Sequence, residues 1–176
     1  DIGYTVWRGR DHKVGPFVGY QRYDTVMNAM GCAQLVSFNS AVCSPPTGGS
    51  SNGITQYDTW QSVRLGVAAE TMLWKKLKVG VDLAWLPFVK YNGLDIHRSR
   101  DLYFPSQGTG TGVQGEIILN WMVTEQFGIG IGGRYWTMWA TNTMDVGAFN
   151  GINYFPVETD RYGVFLQASY KFTAPR

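Results

Sequence analysis

The chain has 176 residues, of which 44% are apolar, 15% are aromatic and only 16% are charged. This composition excludes a disordered or coiled-coil protein, and no apolar run approaches the ~20 residues of a membrane-spanning helix, which excludes a helical membrane protein. The formal net charge of +2 comes without any basic run, so we expect no binding to nucleic acid. The 22 glycines beside many aromatic residues are typical of an all-β protein with tight turns.

A period-two alternation of apolar with polar or small residues recurs along the chain and predicts β-strands. It predicts about seven strands, over residues 2–9, 15–28, 54–72, 77–92, 109–123, 126–142 and 160–172. Most are longer than the ~5 to 6 residues usual in soluble proteins, and charges such as Arg64, Glu116 and Arg134 lie on the face opposite the apolar one. The pattern predicts an antiparallel transmembrane β-barrel with a polar interior, and a soluble β-sandwich or lipocalin-like barrel is the alternative.

The apolar face of this predicted barrel would meet lipid. We expect nine side chains there: Val79, Val81, Leu83, Ile117, Leu119, Ile129, Ile131, Val164 and Leu166. The predicted connections alternate between short ones (10–14, 73–76 and 124–125) and long ones (29–53, 93–108 and 143–159), as in outer-membrane barrels. The closing Tyr170-Lys171-Phe172 resembles the terminal aromatic signal of bacterial outer-membrane proteins and indicates that the long loops are extracellular.

The domain organisation follows from the strand count. Residues 1–176 form one predicted barrel domain whose first strand begins on the extracellular side. A single-chain bacterial barrel has an even number of strands. The count therefore predicts that an odd number of N-terminal strands precedes Asp1 and is missing from this chain.

The two cysteines, Cys32 and Cys43, both lie in the first predicted long loop. An exported loop is exposed to an oxidising environment, which favours a disulfide between them. A pair of free thiols is the alternative, because the sequence does not give the distance between their Cα atoms.

The residues that could support catalysis are few. With only His12 and His97, the sequence predicts no metal site of several histidines, and it contains no nucleophile elbow or phosphate-binding glycine loop, so we expect neither metal nor cofactor. The exception is Asp95-Ile96-His97, where the fourth predicted strand ends. Residues two apart in a strand point to the same side, so Asp95 can orient the imidazole of His97 as a general base toward water.

Four segments of the chain together resemble the omptin family, the outer-membrane endopeptidases built as ten-stranded barrels. They are Gly19-Tyr20-Gln21, Tyr91-Asn92-Gly93 leading into Asp95-Ile96-His97, Thr141-Asn142, and the closing Ala168-Ser169-Tyr170-Lys171-Phe172. The resemblance covers nearly the whole chain, as the last seven of ten strands. It implies that Asp95 and His97 are the catalytic dyad, which activates a water for attack on a peptide bond opposite an aspartate pair on an earlier strand.

The chain departs from the omptin pattern at three positions. Gly93 replaces the family's acidic residue in the pocket for basic side chains, and Arg22 and Asp24 stand where a Glu and an Arg contact lipopolysaccharide. One hypothesis is therefore a surface endopeptidase, with a peptide or protein substrate and with membrane lipid, including lipopolysaccharide, as partner. The other is a catalytically inert barrel of the same fold that serves as a structural, adhesive or complex-associated protein of the bacterial outer membrane.

Overall fold

The computed structural model describes residues 1–33, 43, 46–145 and 152–172, and its strands form one antiparallel sheet. The predicted all-β antiparallel fold is thereby confirmed. The strands are β1 (Ile2–Gly3), β2 (Trp7–Arg8), β3 (His12–Cys32), β4 (Thr47–Trp74), β5 (Leu77–His97), β6 (Leu102–Met122), β7 (Phe127–Asp145) and β8 (Ile152–Tyr170). From β3 to β8 each strand pairs with the next in the chain, and β1 and β2 both pair with β3.

Helical structure is minor in the described part of the chain. A single-turn 3₁₀ helix, Arg98–Arg100, follows β5. Within the described ranges no helix has the length and apolar character needed to cross a membrane.

The first predicted strand is interrupted. Between β1 and β2 the backbone N–H groups of Tyr4 and Val6 still donate to the carbonyls of Pro16 and Val14, at 3.1 and 3.0 Å, so this segment continues to follow β3. It passes very close to Gly15, where an added Cβ would lie 2.1 Å from the Tyr4 carbonyl oxygen. A glycine in β3 therefore permits this close approach of two backbones.

The strands extend further than predicted, so the connections at one end are shorter than the sequence indicated. β3 continues to Cys32 and β4 begins at Thr47, inside the predicted loop 29–53. The predicted loop 93–108 is mostly strand, and only residues 98–101 separate β5 from β6. Apolar alternation ends where both faces become polar, but the backbone hydrogen bonds of a strand pair continue without it.

Cys32 and Cys43 form a disulfide with their Cα atoms 5.5 Å apart, which confirms the favoured interpretation. Cys32 is the last residue of β3 and pairs with Thr47 of β4. The disulfide therefore closes the connection between these two strands, and most of the segment between the cysteines lies outside the described residues.

The sheet has an apolar convex face and a polar concave face. Directly paired residues share a face, and Val79, Leu119, Ile131 and Leu166 form one row across β5 to β8. The nine side chains expected to face lipid all lie on the convex face; seven are exposed, and Val79 and Val81 are half-buried. On the concave face, Arg134 forms an ion pair with Glu116. That lipid covers the convex face stays a prediction.

A small core lies on the concave face. It contains Trp60, Leu86, Val89, Tyr91, Met138 and Ala140, with Tyr23, Trp136 and Val157 packed against it. Leu86 is fully buried, and Tyr91 is only 2% exposed. These residues come from β3, β4, β5, β7 and β8, so the sheet must curl around this core. The core supports the end of the barrel at which Asp95 and His97 lie.

Candidate functional site

Asp95 and His97 lie within the last three residues of β5, and both are on the concave face. Their orientation depends on a β-bulge between Leu86 and Val89, where β5 has one residue more than each neighbouring strand. Before the bulge the odd-numbered residues, such as Leu83, are on the convex face. After it the odd-numbered residues are on the concave face, so the bulge turns both residues of the predicted dyad toward the interior.

The structure brings the side chains of Asp95 and His97 into contact. Nε2 of His97 lies 3.0 Å from Oδ2 of Asp95, and the two side chains are 22% and 24% exposed. The second carboxylate oxygen, Oδ1 of Asp95, is buried without a hydrogen-bond partner among the described residues. Because Asp95 contacts Nε2, Nδ1 is the nitrogen that remains to accept a proton from water.

A neighbouring aromatic ring fixes the imidazole from the side. Phe104 on β6 pairs with Asp95 and contacts His97 edge to face, with ring centroids 5.2 Å apart and planes at 87°. The chain turns sharply just beyond, where Asp101 adopts a left-handed conformation at φ 52° that aspartate tolerates better than most residues. The tight β5–β6 connection therefore holds Phe104 against His97.

A polar network lies beside the dyad on the same face. The Tyr91 hydroxyl donates to Oδ1 of Asp58 at 2.7 Å, and Nε2 of Gln56 donates to both oxygens of Asp58 at 3.1 and 3.2 Å. Asp58 is 8% exposed and pairs with Gly93 across β4 and β5. The network thus places a buried carboxylate one strand away from the dyad and satisfies it with neutral donors.

Gly93 is the residue around which this network closes. A Cβ at Gly93 would lie 2.3 Å from the Tyr91 hydroxyl oxygen and 2.4 Å from Oγ of Ser106. The position at which the resemblance implies an acidic side chain is therefore filled by two hydroxyl groups. A carboxylate in this part of the site comes from Asp58 instead.

Burial raises the pKa of Tyr91 to about 12, and its hydrogen bond to Asp58 adds to the rise. On β5, Tyr91 lies beyond Phe88, the outermost exposed aromatic residue of that strand. A phenol with this pKa remains protonated at neutral pH and serves as a hydrogen-bond donor.

Sequence reasoning did not identify Gln56, Asp58, Tyr91, Phe104 and Ser106 as site residues. The spacing of Tyr91, Asp95 and His97 at odd positions was a usable signal, because residues two apart share a face. The residues of β4 and β6 gave no such signal, since only the strand register brings Asp58 opposite Gly93 and Phe104 opposite Asp95.

Arg22 and Asp24 are the positions at which the omptin resemblance implies contacts with lipopolysaccharide. In this chain they form an ion pair with each other. Nε of Arg22 donates to Oδ2 of Asp24 at 3.0 Å, and Oγ1 of Thr59 donates to Oδ1 of Asp24 at 2.7 Å. Both side chains of the pair are exposed, and each neutralises the charge of the other. Gly19-Tyr20-Gln21 precedes them in β3, whereas the side chain of Asn142 lies outside the described residues.

No group of three or more His, Cys, Asp or Glu residues that could hold a metal ion occurs in the part of the chain that the structure describes. The chemistry that the site itself can perform is acid–base chemistry. An imidazole whose ring is held by a carboxylate on one side and a phenyl edge on the other can take a proton from water.

Comparison with known proteins bears on the fold. Neither a protein-family model nor a curated protein matches the sequence. Among solved structures, the outer membrane protease OmpT from Escherichia coli superposes with a TM-score of 0.75 at 12% sequence identity. The match covers 97% of this chain, which spans 61% of the length of OmpT. The chain therefore has an omptin-like barrel fold.

Proposed function

We propose that this protein is an outer-membrane endopeptidase in which His97 acts as general base on a water molecule that attacks a peptide bond. The observation that carries the proposal is the 3.0 Å contact between His97 and Asp95 at one end of an omptin-like barrel. In this proposal the protein lies in the bacterial outer membrane, and the end that carries the dyad faces outward to meet peptide or protein substrates.

The proposed chemistry is noncovalent. Nδ1 of His97 takes a proton from water while the oxygen attacks the carbonyl carbon, and the same proton then passes to the leaving amine. Asp95 holds the ring through Nε2 and stabilises the imidazolium that forms. The resemblance implies that a pair of aspartates on an earlier strand completes the site, and an Asp-x-Asp motif in the precursor sequence would support this.

A second candidate function is an inert barrel that serves as a structural, adhesive or complex-associated protein. The filled space at Gly93 favours it, because Tyr91 and Ser106 occupy the place of the acidic side chain that binds basic substrate residues in the resemblance. In that case the Asp95–His97 pair only stabilises the end of β5.

The two candidates differ in one measurement, the cleavage of a varied peptide library by the full-length protein in a reconstituted outer membrane. For the endopeptidase, His97→Ala abolishes turnover, a loss of at least ~10²-fold, and Asp95→Asn lowers the rate. His12→Ala is the control, because His12 begins β3 at the other end of the sheet. Unchanged cleavage by His97→Ala removes the catalytic assignment, and no cleavage by the unmodified protein favours the inert barrel.

A further inference from the structure

A cluster of polar side chains lies on the convex face at the dyad end, the end of the sheet that carries Asp95 and His97. We call it the convex cluster, and it has one member from β3, two from β4 and one from the 3₁₀ helix: Asn28, Asn52, Thr55 and Arg98. Thr55 pairs across the sheet with Ile96, the residue between Asp95 and His97. The cluster therefore lies directly behind these two residues, on the opposite face of the sheet.

The hydroxyl of Thr55 is the centre of the convex cluster. It donates to Oδ1 of Asn28 at 2.9 Å, and it accepts from Nδ2 of Asn52 at 2.9 Å and from Nε of Arg98 at 3.2 Å. A hydroxyl has one donor and two acceptor positions, so these three hydrogen bonds use its whole capacity. Thr55 is only 1% exposed, so its hydroxyl depends on these protein partners rather than on water.

A second β-bulge brings one member into the cluster. Ala29 of β3 pairs with Ile54, but Met30 pairs with Asn52, so Gly53 is an extra residue of β4. The bulge turns the side chain of Asn52 to the convex face, where its Nδ2 also donates to Oδ1 of Asn28, at 3.0 Å. The strand register thus assembles the group that receives Arg98.

Arg98 links the convex cluster to the proposed general base. It directly follows His97 in the chain, and its side chain returns from the 3₁₀ helix to Thr55. His97 pairs with Ile54, and this is the last residue pair between β4 and β5 at the dyad end. The ends of paired strands open most easily, because few contacts hold them. The hydrogen bond from Arg98 to Thr55 therefore ties the two strands together beyond their last backbone pair.

We propose that Arg98 is a positioning residue for His97. On the concave face the imidazole contacts Asp95 and Phe104, and both contacts depend on where the backbone of His97 lies. The hydrogen bond from Arg98 to Thr55 fixes that backbone from the convex face. A displacement of ~1 Å is enough to lower a catalytic rate by about 10²-fold. The effect on catalysis rests on the proposed endopeptidase activity, whereas the position of the imidazole is measured without it.

Four variants of the full-length protein in detergent micelles test this role. Arg98→Ala removes the donor, and Thr55→Val removes the hydroxyl but leaves the charge of Arg98 in place. Thr55→Ser keeps the hydroxyl and is the conservative variant. Arg100→Ala is the matched control, because Arg100 is the other arginine of the same 3₁₀ helix and is exposed.

The first measurement is the NMR signal of the His97 imidazole in protein with isotope-labelled histidine, assigned with His97→Gln. The ring stands edge to face with Phe104, so its signal carries a ring-current shift. We expect Arg98→Ala and Thr55→Val to move this signal toward its position in Phe104→Leu. Thr55→Ser and Arg100→Ala should leave it unchanged.

The second measurement is peptide cleavage. For the proposed endopeptidase we expect Arg98→Ala and Thr55→Val to lower kcat about tenfold at an unchanged KM, because the base is displaced while substrate binding remains. An unshifted His97 signal in Arg98→Ala, an equal shift in Arg100→Ala, or a shifted signal with unchanged kcat overturns the positioning role. A shifted signal in a protein that cleaves no peptide supports the positioning of the imidazole and contradicts the endopeptidase activity instead.

Discussion

Leu86 and Val89 are three residues apart in β5, yet both side chains lie in the concave core, 0% and 2% exposed. In a regular strand, residues three apart point to opposite faces. The bulge at Pro87 and Phe88 adds one residue and reverses the alternation, and Pro87 has no N–H for the ladder. This reversal places Asp95 and His97 inside the barrel while Leu83 lies outside.

Deletion of Phe88 tests the role of the bulge. Deletion of the extra residue restores regular alternation, and Leu86, Val89, Asp95 and His97 all stay on the concave face, because only the unpaired residue is removed. For the proposed endopeptidase we therefore expect the deletion variant to retain its activity, in contrast to His97→Ala. Heat-modifiable migration of the full-length protein on gels serves to verify folding, and a folded deletion variant that loses activity as His97→Ala does contradicts this assignment of the bulge.

Ile131→Arg distinguishes a membrane barrel from a soluble one. Ile131 is 48% exposed on the convex face, so in water the change would alter stability by no more than ~0.5 kcal/mol. In a bilayer the same change costs about 2–4 kcal/mol. Urea unfolding of the full-length protein in vesicles measures the difference, with Thr109→Arg, an exposed polar position of β6, as control.

We expect the Tyr91 phenol to titrate at a higher pH than the phenols of exposed tyrosines. Its folded pKa of about 12 lies above the ordinary tyrosine pKa of 10.0, so the folded state holds the phenolic proton more tightly. The stabilisation from this phenol is fully present below pH 10 and is lost as the pH rises toward 12. The ultraviolet phenolate signal of the unmodified protein minus that of Tyr91→Phe should rise near pH 12. A midpoint near 10 would show that Tyr91 is solvated.

Arg161 and Tyr23 connect the last and the first long strand across the concave face. The guanidinium carbon of Arg161 lies 3.5 Å from the ring centroid of Tyr23. Arg161→Met removes this cation–π contact and should lower the free energy of unfolding by about 1–2 kcal/mol, whereas Arg161→Lys should lose less. Urea midpoints of the full-length variants decide this, and equal losses for both changes would point to packing alone.

The Cys32–Cys43 disulfide should affect its own connection more than the barrel. It joins the end of β3 to a residue beyond it, far from the convex band and the concave core. We expect thiol alkylation only after reduction, and Cys32→Ser/Cys43→Ser should lower the free energy of unfolding by no more than about 3 kcal/mol. Alkylation of the unreduced protein would contradict the disulfide.

The sequence by itself determined the strands, the two faces and the Asp95–His97 pair. Period-two alternation shows which residues share a face within one uninterrupted strand, and a carboxylate two positions before a histidine then lies on the same side. The sequence favoured a disulfide between Cys32 and Cys43, and the 5.5 Å distance between their Cα atoms in the structure decided against free thiols. Each of these inferences compares residues that lie close to one another in the sequence.

The tertiary structure decided which face the dyad occupies and what surrounds it. Alternation counted from Val79 assigns odd-numbered residues to the convex face, and a bulge of a single residue reverses this at Val89. Strand register brings Asp58 beside Gly93 and Phe104 beside Asp95, although each pair is separated by many residues in the chain. Register and bulges arise from hydrogen bonding between strands, and a pattern within one strand does not contain that information.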